Sequence, residues 1–267
     1  MTEYIRSTFK VRRVNMSHEA EMPGMKVTKE QLQIICCRYY FASQFVLGKQ
    51  ALEIGCGPGL GLGYLSRKAE RVIGGDCAED NLRLAKQHYK SRVELILSDA
   101  HNLPFKDNCF DVVVAMAAMI YLQLDSFFNE CHRVLKRGGM LVFCIPNKDR
   151  PDFHRSPLSK NYFSVPELSA LMGKHFDARF FGAFPVHREL QVTKRSGAII
   201  VAKAGEALAL MPKGEEIKEF LSRLLFGTSV LKEEIEDGMV ENIQPEPIRD
   251  DSPNFQYSVL YAIAYTR

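Results

Sequence analysis

Residues Ala51–Gly63 read ALEIGCGPGLGLG. Ala-Leu-Glu-Ile is a short apolar run carrying one acid and bounded by glycine. It predicts a buried strand whose carboxyl end runs into a loop. Gly55, Gly57 and Gly59 alternate there, with Gly61 and Gly63 following. Such glycines permit positive φ and let the backbone approach a ligand without an intervening Cβ. Leu60–Lys68 reads as a helix entered directly from the loop, its free N–H groups facing whatever the loop holds. Strand, glycine loop and helix in this order are where open α/β sheets bind nucleotides. A glycine-rich turn with no ligand would show the same glycines, so the neighbouring segments decide.

The dinucleotide pattern GxGxxG is absent, since the sixth positions from Gly55, Gly57 and Gly59 are Leu60, Leu62 and Tyr64. The phosphate loop GxxxxGK[ST] is absent too. What stands here is an acid, Glu53, followed by Gly-x-Gly-x-Gly. This resembles the first motif of the class I S-adenosylmethionine (SAM) dependent methyltransferases. A carboxylate at Glu53 suits a ligand with an ammonium group, as the methionine end of SAM has, and suits a pyrophosphate badly.

Further along, Arg71–Gly75 reads as a strand closed by Asp76, 21 residues beyond Gly55. An acid at that position can accept from both ribose hydroxyls, in NAD and SAM enzymes alike. Glu79–Tyr89 is the next helix and Val93–Leu97 the next strand. Then comes DAHNLPFKDNCFDVV, Asp99–Val113. It resembles the methyltransferase block DAxxLPFxDxxFDxV. The resemblance implies that Asp99 accepts from the adenine amino group and that the Ala100 N–H meets the ring. Phe105 and Phe110 read as core residues holding the loop down, and Asp111 as structural. After the strand Val112–Met116 comes MAAMIYL, Met116–Leu122, where the family's backbone meets the cofactor and the following side chains face the acceptor. This chain has no obvious acid or base there. Tyr121 remains a candidate for orienting substrate.

Glu130–Gly139, ECHRVLKRGG, resembles the family's ExxRVLKPGG turn before the next strand, here Met140–Ile145. His132 reads as a surface or core residue of the helix Phe127–Leu135. Lys148–Ser164 is long, polar and punctuated by proline, as functional loops are. Asn147, His154, Arg155 and Tyr162 are its candidate substrate contacts, with His154 the best general base by type. Val165–Gly173 reads as a helix and Phe176–Phe184 as a strand. The only good last strand is Tyr257–Thr266.

Upstream, Thr28 and Gln31 form a capping-box pattern opening an aromatic-rich helix, Gln31–Leu47, that Gly48 ends. In the class I fold a helix of this kind often lies over the cofactor cleft, so the resemblance implies that Tyr4, Tyr39 and Tyr40 offer an aromatic face to a sulfonium, the alternative being that they are packing aromatics.

The resemblance implies an α/β fold: a Rossmann-like class I methyltransferase sheet of order 3-2-1-4-5-7-6, its seventh strand antiparallel, with helices on both faces. The expected organisation is a helical cap at 1–48, a SAM-binding core at 49–184 and 256–267, and an insertion at 185–255 acting as substrate lid. Within that insertion Ser196–Leu210 and Glu215–Leu225 read as amphipathic helices. The expected cofactor contacts are Tyr39, Glu53, Gly55, Gly57, Gly59, Asp76, Cys77, Asp99, Ala100 and Met116, with His154 and Tyr121 as catalytic candidates. The expected chemistry is methyl transfer from SAM to an oxygen or nitrogen of a small-molecule acceptor. Attack on the cofactor's γ-carbon, with release of methylthioadenosine, is a second reading. Non-catalytic SAM binding is a third, and nicotinamide chemistry is disfavoured by the missing GxGxxG.

Composition narrows the partners. The 267 residues carry 35 basic and 32 acidic side chains, a net charge of +3, which is no nucleic-acid footprint. The seven cysteines show no CxxC and no spacing with histidine that suits zinc, so no metal is expected. They read as reduced thiols of a cytoplasmic protein. The longest apolar run, Val112–Ile120, is too short for a membrane span. The polar start MTEYIRSTFK is unlike a secretory signal. A monomer or homodimer is expected.

Overall fold

The computed structural model describes residues 21–151, 153–156, 159, 161–186 and 228–267. Tyr4 and the two helices expected at Ser196–Leu210 and Glu215–Leu225 lie outside them.

The chain opens with β1 (Lys26–Thr28) and α1 (Lys29–Ser43). The Thr28 hydroxyl accepts from the Gln31 N–H while the Gln31 side chain accepts from the Thr28 N–H, the reciprocal cap expected from sequence. The helix ends four residues sooner than expected, at Ser43. Next come β2 (Gln50–Ile54), α2 (Leu62–Ser66), β3 (Arg71–Asp76), α3 (Glu79–Tyr89), β4 (Glu94–Leu97) and β5 (Phe110–Met116). Helix α2 is shorter than the expected Leu60–Lys68, because Gly59–Gly61 are spent in the turn that enters it. Then follow α4 (Leu124–Val134), β6 (Leu135–Pro146), α5 (Val165–Met172), β7 (Phe176–Pro185), β8 (Thr228–Val230), β9 (Glu246–Ile248) and β10 (Tyr257–Thr266).

The main sheet has eight strands in the order β4-β3-β2-β5-β6-β10-β7-β9. Its first seven positions reproduce the expected order, with β10 antiparallel to both β6 and β7. The eighth strand, β9, pairs antiparallel with β7 through Phe180↔Ile248. Sequence reading missed it, since three residues around a proline carry no strand pattern. It missed the β1–β8 pair for the same reason: Lys26↔Val230 joins two three-residue segments far apart in the chain.

Side chains alternate across the central strands, so each strand feeds two cores. On β6, Met140, Val142 and Cys144 face α1, α2 and α3, whereas Leu141, Phe143 and Ile145 face α4 and α5. Strand β6 begins five residues before the expected start. Leu135 pairs with Phe110, and the register then jumps to Met140 opposite Val112, so the Gly138-Gly139 turn is an irregularity inside the strand.

The ECHR stretch of α4 is a clamp. Arg133 donates to Glu130 Oε1 at 2.6 Å and Oε2 at 2.7 Å, to Asp107 at 2.7 Å, and to the carbonyls of Phe105 at 2.8 Å and Leu103 at 3.2 Å. Glu130 in turn accepts the Leu103 N–H at 2.6 Å. The loop after Asp99 is thereby fastened to α4, with Phe105 edge-on to Phe110 at 4.9 Å beneath it. Asp111 is structural as expected, accepting from the Gln50 N–H and from Lys136, each at 2.9 Å. Replacing Arg133 with Ala leaves Glu130 and two loop carbonyls without their donor. The expected loss is about 2–4 kcal/mol in urea denaturation. Lys at 133 would recover only part, because an ammonium cannot fork between carboxylate and carbonyls. A loss below about 0.5 kcal/mol for Arg133→Ala would show that the clamp is idle.

Candidate functional site

A cavity of about 370 Å³ opens at the carboxyl ends of β2, β3 and β5, where the strand order reverses. Its floor is the glycine loop. Gly55 and Gly57 have φ of +70° and +55°, conformations that a side chain would strain. Both loop N–H groups of Gly55 and Cys56 point back to the Gly75 carbonyl, at 2.8 and 3.1 Å.

Asp76 closes the loop. Its carboxylate accepts the Gly57 N–H and the Ala78 N–H, each at 2.8 Å, and the Asn81 amide at 3.4 Å. Burial pushes its carboxyl above the usual value, opposed by those hydrogen bonds. Oδ1 takes the Ala78 and Asn81 donors, and Oδ2, with the Gly57 N–H, keeps acceptor capacity for a ligand's hydroxyl.

Among the expected contacts, Tyr39, Gly55, Gly57, Asp76, Cys77, Asp99, Ala100, Met116 and Tyr121 all line this cavity. Gly59 does not: its bare Cα faces α3, where an added Cβ would come within 2.8 Å of the Tyr89 ring. The Tyr89 hydroxyl holds that turn, donating to the Gly59 carbonyl at 2.7 Å and accepting from the Gly63 N–H at 3.1 Å. Glu53 lies beneath the lining. It is 1% exposed and accepts the Tyr39 hydroxyl at 2.8 Å. Its second oxygen, Oε2, is buried without a partner. Tyr40 points elsewhere, its hydroxyl donating to the Glu236 carbonyl at 2.8 Å.

His154 and Arg155 are exposed on the loop after β6 and do not line the cavity. Asn147 is fully buried and wholly engaged, donating to the Asn254 and Tyr257 carbonyls at 2.7 and 2.8 Å and accepting the Asp149 N–H at 3.0 Å. The Tyr162 hydroxyl accepts the Ser156 N–H at 2.9 Å, within the same loop. The loop reaches the cavity rim through a residue that sequence reading passed over, Asn161. It donates to the carbonyls of Ile120 at 3.1 Å and Leu122 at 2.7 Å. His132 stacks against His175 at 5.0 Å, away from the cavity.

Two further lining groups were missed. Arg38 projects from α1 and donates to Glu21 at 2.8 Å, with its Nε buried and unpartnered. An arginine in a helix normally reads as solvated, so no sequence signal marked it. His101 is the other. Its Nε2 accepts the Gln123 N–H at 3.0 Å, so its proton sits on Nδ1, 2.7 Å from Asp99 Oδ1. The rim beyond β5 is Met116, Ala117, Ala118, Ile120, Tyr121 and Leu122. Ala117 is held at φ +59°, a left-handed conformation that costs a non-glycine residue about 1 kcal/mol. Among the described residues no three His, Cys, Asp or Glu side chains group to hold a metal, and no helix is long and apolar enough to cross a membrane.

The cavity fits the cofactor that the sequence resemblance implies: it offers the carboxylates of Asp76 and Asp99 as acceptors, an Arg38 guanidinium nitrogen without a partner and, below the lining, a buried Glu53 oxygen without one.

Comparison with known proteins agrees. Residues 52–143 match the Methyltransferase domain family. A probable S-adenosylmethionine-dependent methyltransferase of Mycolicibacterium smegmatis is 31% identical over 183 residues, 64% of this chain and 69% of that protein. The fatty-acid O-methyltransferase of the same organism is 34% identical over 117 residues, 42% of this chain, and the chain spans only 43% of its length. In fold, the chain resembles a SAM-dependent methyltransferase of Thermotoga maritima, described as a possible histamine N-methyltransferase. The TM-score is 0.56 at 17% identity, over 90% of this chain and 95% of that one. The chain therefore belongs to the class I SAM-dependent methyltransferases, and SAM is its cofactor.

Proposed function

We propose that the protein transfers the SAM methyl group to an oxygen or nitrogen of a small molecule whose nucleophilic atom needs no proton removed. One observation carries this reading. Among the described residues the only imidazole lining the cavity, His101, has both ring nitrogens engaged, and the rim after β5 is apolar apart from Tyr121. Among the described lining residues the carboxylates are engaged as well, Glu21 with Arg38, Asp76 with the Gly57 and Ala78 N–H groups and Asp99 with His101. A carboxylate oxygen or a neutral amine nitrogen is such an acceptor. The fatty-acid O-methyltransferase among the relatives makes the carboxylate of an apolar molecule the first class to try.

SAM brings a sulfonium, so the leaving group is already activated. The chain's own work is to bind, orient and exclude water. Asp76 takes the ribose hydroxyls, Asp99 the adenine amino group and Arg38 the methionine carboxylate. Met116, Ala118 and Ile120 would keep water from the cavity, and Tyr121 would orient the acceptor. His154, on the exposed loop, is assigned no proton transfer.

The test is mass spectrometry of SAM incubated with the protein, with and without small-molecule acceptors, medium-chain fatty acids first. S-adenosylhomocysteine formed only with acceptor is the expected result. Methylthioadenosine formed without acceptor would move the chemistry to the γ-carbon, and SAM bound but unconsumed would leave a binding module. Replacing Asp76 with Ala should weaken SAM binding by about 30-fold or more, since it loses charge-assisted bonds to ligand and loop together. Equilibrium dialysis reads this, with circular dichroism confirming the fold; unchanged affinity would remove Asp76 from the site.

A further inference from the structure

Glu53 sits in the middle of the sheet with little to stabilise a charge. Across β3 it pairs with Gly74, and across β5 with Val114, neither of which is ionisable. From α1 the Tyr39 hydroxyl supplies its one hydrogen bond, and Oε2 is left with none. Among the described residues no lysine, arginine or histidine forms an ion pair with it. The other ionisable groups facing it are Asp76 on β3, Cys56 in the glycine loop and Tyr89 on α3, none of them a cation. Beyond Tyr39, Arg38 is already paired with Glu21 at 2.8 Å. Burial pushes the Glu53 carboxyl up to about 8, with Asp76 adding to the rise and the Tyr39 hydroxyl opposing it. An ionised carboxyl in such a place is costly unless a cation arrives.

We propose that Glu53 reads the charge of the cofactor: it is a neutral acid in the empty protein and gives its proton to solvent when the cationic cofactor enters the cavity beside Tyr39. The inference rests on the assignment of SAM to this cavity. In the step the Glu53 O–H bond breaks, the proton passes to bulk buffer, and the electron pair stays on a carboxylate beneath the lining, within the field of the ligand's positive charge. A nearby positive charge favours the ionised form, which lowers the carboxyl's affinity for its proton. The bound state then holds fewer protons than the empty one. Affinity for SAM therefore rises with pH, by at most about tenfold per unit. The rise ends where the empty protein has itself ionised, near the value of about 8 that burial imposes. Glu53 is a positioning residue here, and takes no part in the transfer itself.

The experiment is isothermal titration calorimetry of SAM into the protein in buffers of differing ionisation enthalpy. Wild type is compared with Glu53→Gln, which keeps the shape and one acceptor oxygen. The cofactor's own α-amino group titrates nearby, with a reference pKa of about 8, so the quantity read is the difference between the two proteins. At pH 7 wild type should release up to about one proton more per SAM than Glu53→Gln, and this difference should vanish by about pH 9. Between pH 6 and 7.5 wild-type affinity should rise roughly tenfold while that of Glu53→Gln stays within about twofold. Tyr39→Phe removes the bond that favours the carboxylate, so its release should persist to higher pH than in wild type. SAM binding with no buffer dependence in wild type, or equal release from Glu53→Gln, would overturn the proposal. Failure of SAM to bind at all, in a parallel dialysis, would instead take down the cofactor assignment on which it rests.

Discussion

The carboxylate of Asp76 is the point on which the site depends. It stands at the end of β3 and takes the N–H of Gly57 from the loop after the neighbouring strand, and the N–H of Ala78 at the head of the next helix, each at 2.8 Å. One side chain thus sets the path of the glycine loop and the entry to α3 together. The residues before Asp76 are glycines, β3 ending in Gly74-Gly75-Asp76, and this leaves room for α2 and the turn after β4. A Cβ on Gly75 would fall within 2.6 Å of the Ser98 hydroxyl, and one on Gly74 within 2.6 Å of Leu62. The cavity is the space left when a loop, a carboxylate and a helix terminus are tied to one another and still keep free lone pairs for a ligand.

The second constraint is the clamp from α4. Glu130 and Arg133 lie three apart on one helix face and grip the loop that carries Asp99 and Ala100 into the cavity. Family motifs that read as separate blocks, the DAxxLPF loop and the ExxR helix, are the two halves of one hydrogen-bonded unit. His101 extends it: the Gln123 N–H that caps its Nε2 belongs to the residue before α4, so helix, imidazole and Asp99 form a chain to the cavity wall. That chain rigidifies Asp99 and at the same time takes the imidazole out of acid–base work.

A third element comes from far away in the chain. Leu231–Ile243 runs along the outer side of α1 and α2. Its Ile235 N–H reaches the Leu60 carbonyl at 3.0 Å, Asp237 accepts the Tyr64 hydroxyl at 2.6 Å, and Glu234 meets Arg92 at 3.1 Å. Gly63 is bare where Glu234 packs, for a Cβ there would lie 1.9 Å from its carboxylate. The late glycines of the loop therefore serve two faces. Gly55 and Gly57 serve the cavity, while Gly59 and Gly63 let α3 and this strap close in from behind.

Much of this was legible from the chain alone, because it depends on local pattern. Apolar runs place β2, β3 and β5, the first two running into glycine, and a capping box places the start of α1. An acid after Gly74-Gly75 places Asp76 at the cavity. These follow from short-range rules of period, capping and backbone freedom, whereas the sheet order and the cofactor came from the resemblance of the glycine loop and the Asp99–Val113 block to the class I methyltransferases. What local pattern could not carry were meetings between residues far apart. Arg38, Glu21, His101 and Asn161 reach the site or its rim only after α1, α4 and the loop after β6 have docked. The same docking left Gly59 facing Tyr89, Asn147 spent on β10 and His154 in solvent. Burial of Glu53 beneath Tyr39 belongs to this class too. A carboxyl's charge depends on what surrounds it in three dimensions, and those surroundings come from α1, β3 and α3, which the sequence around Glu53 does not contain.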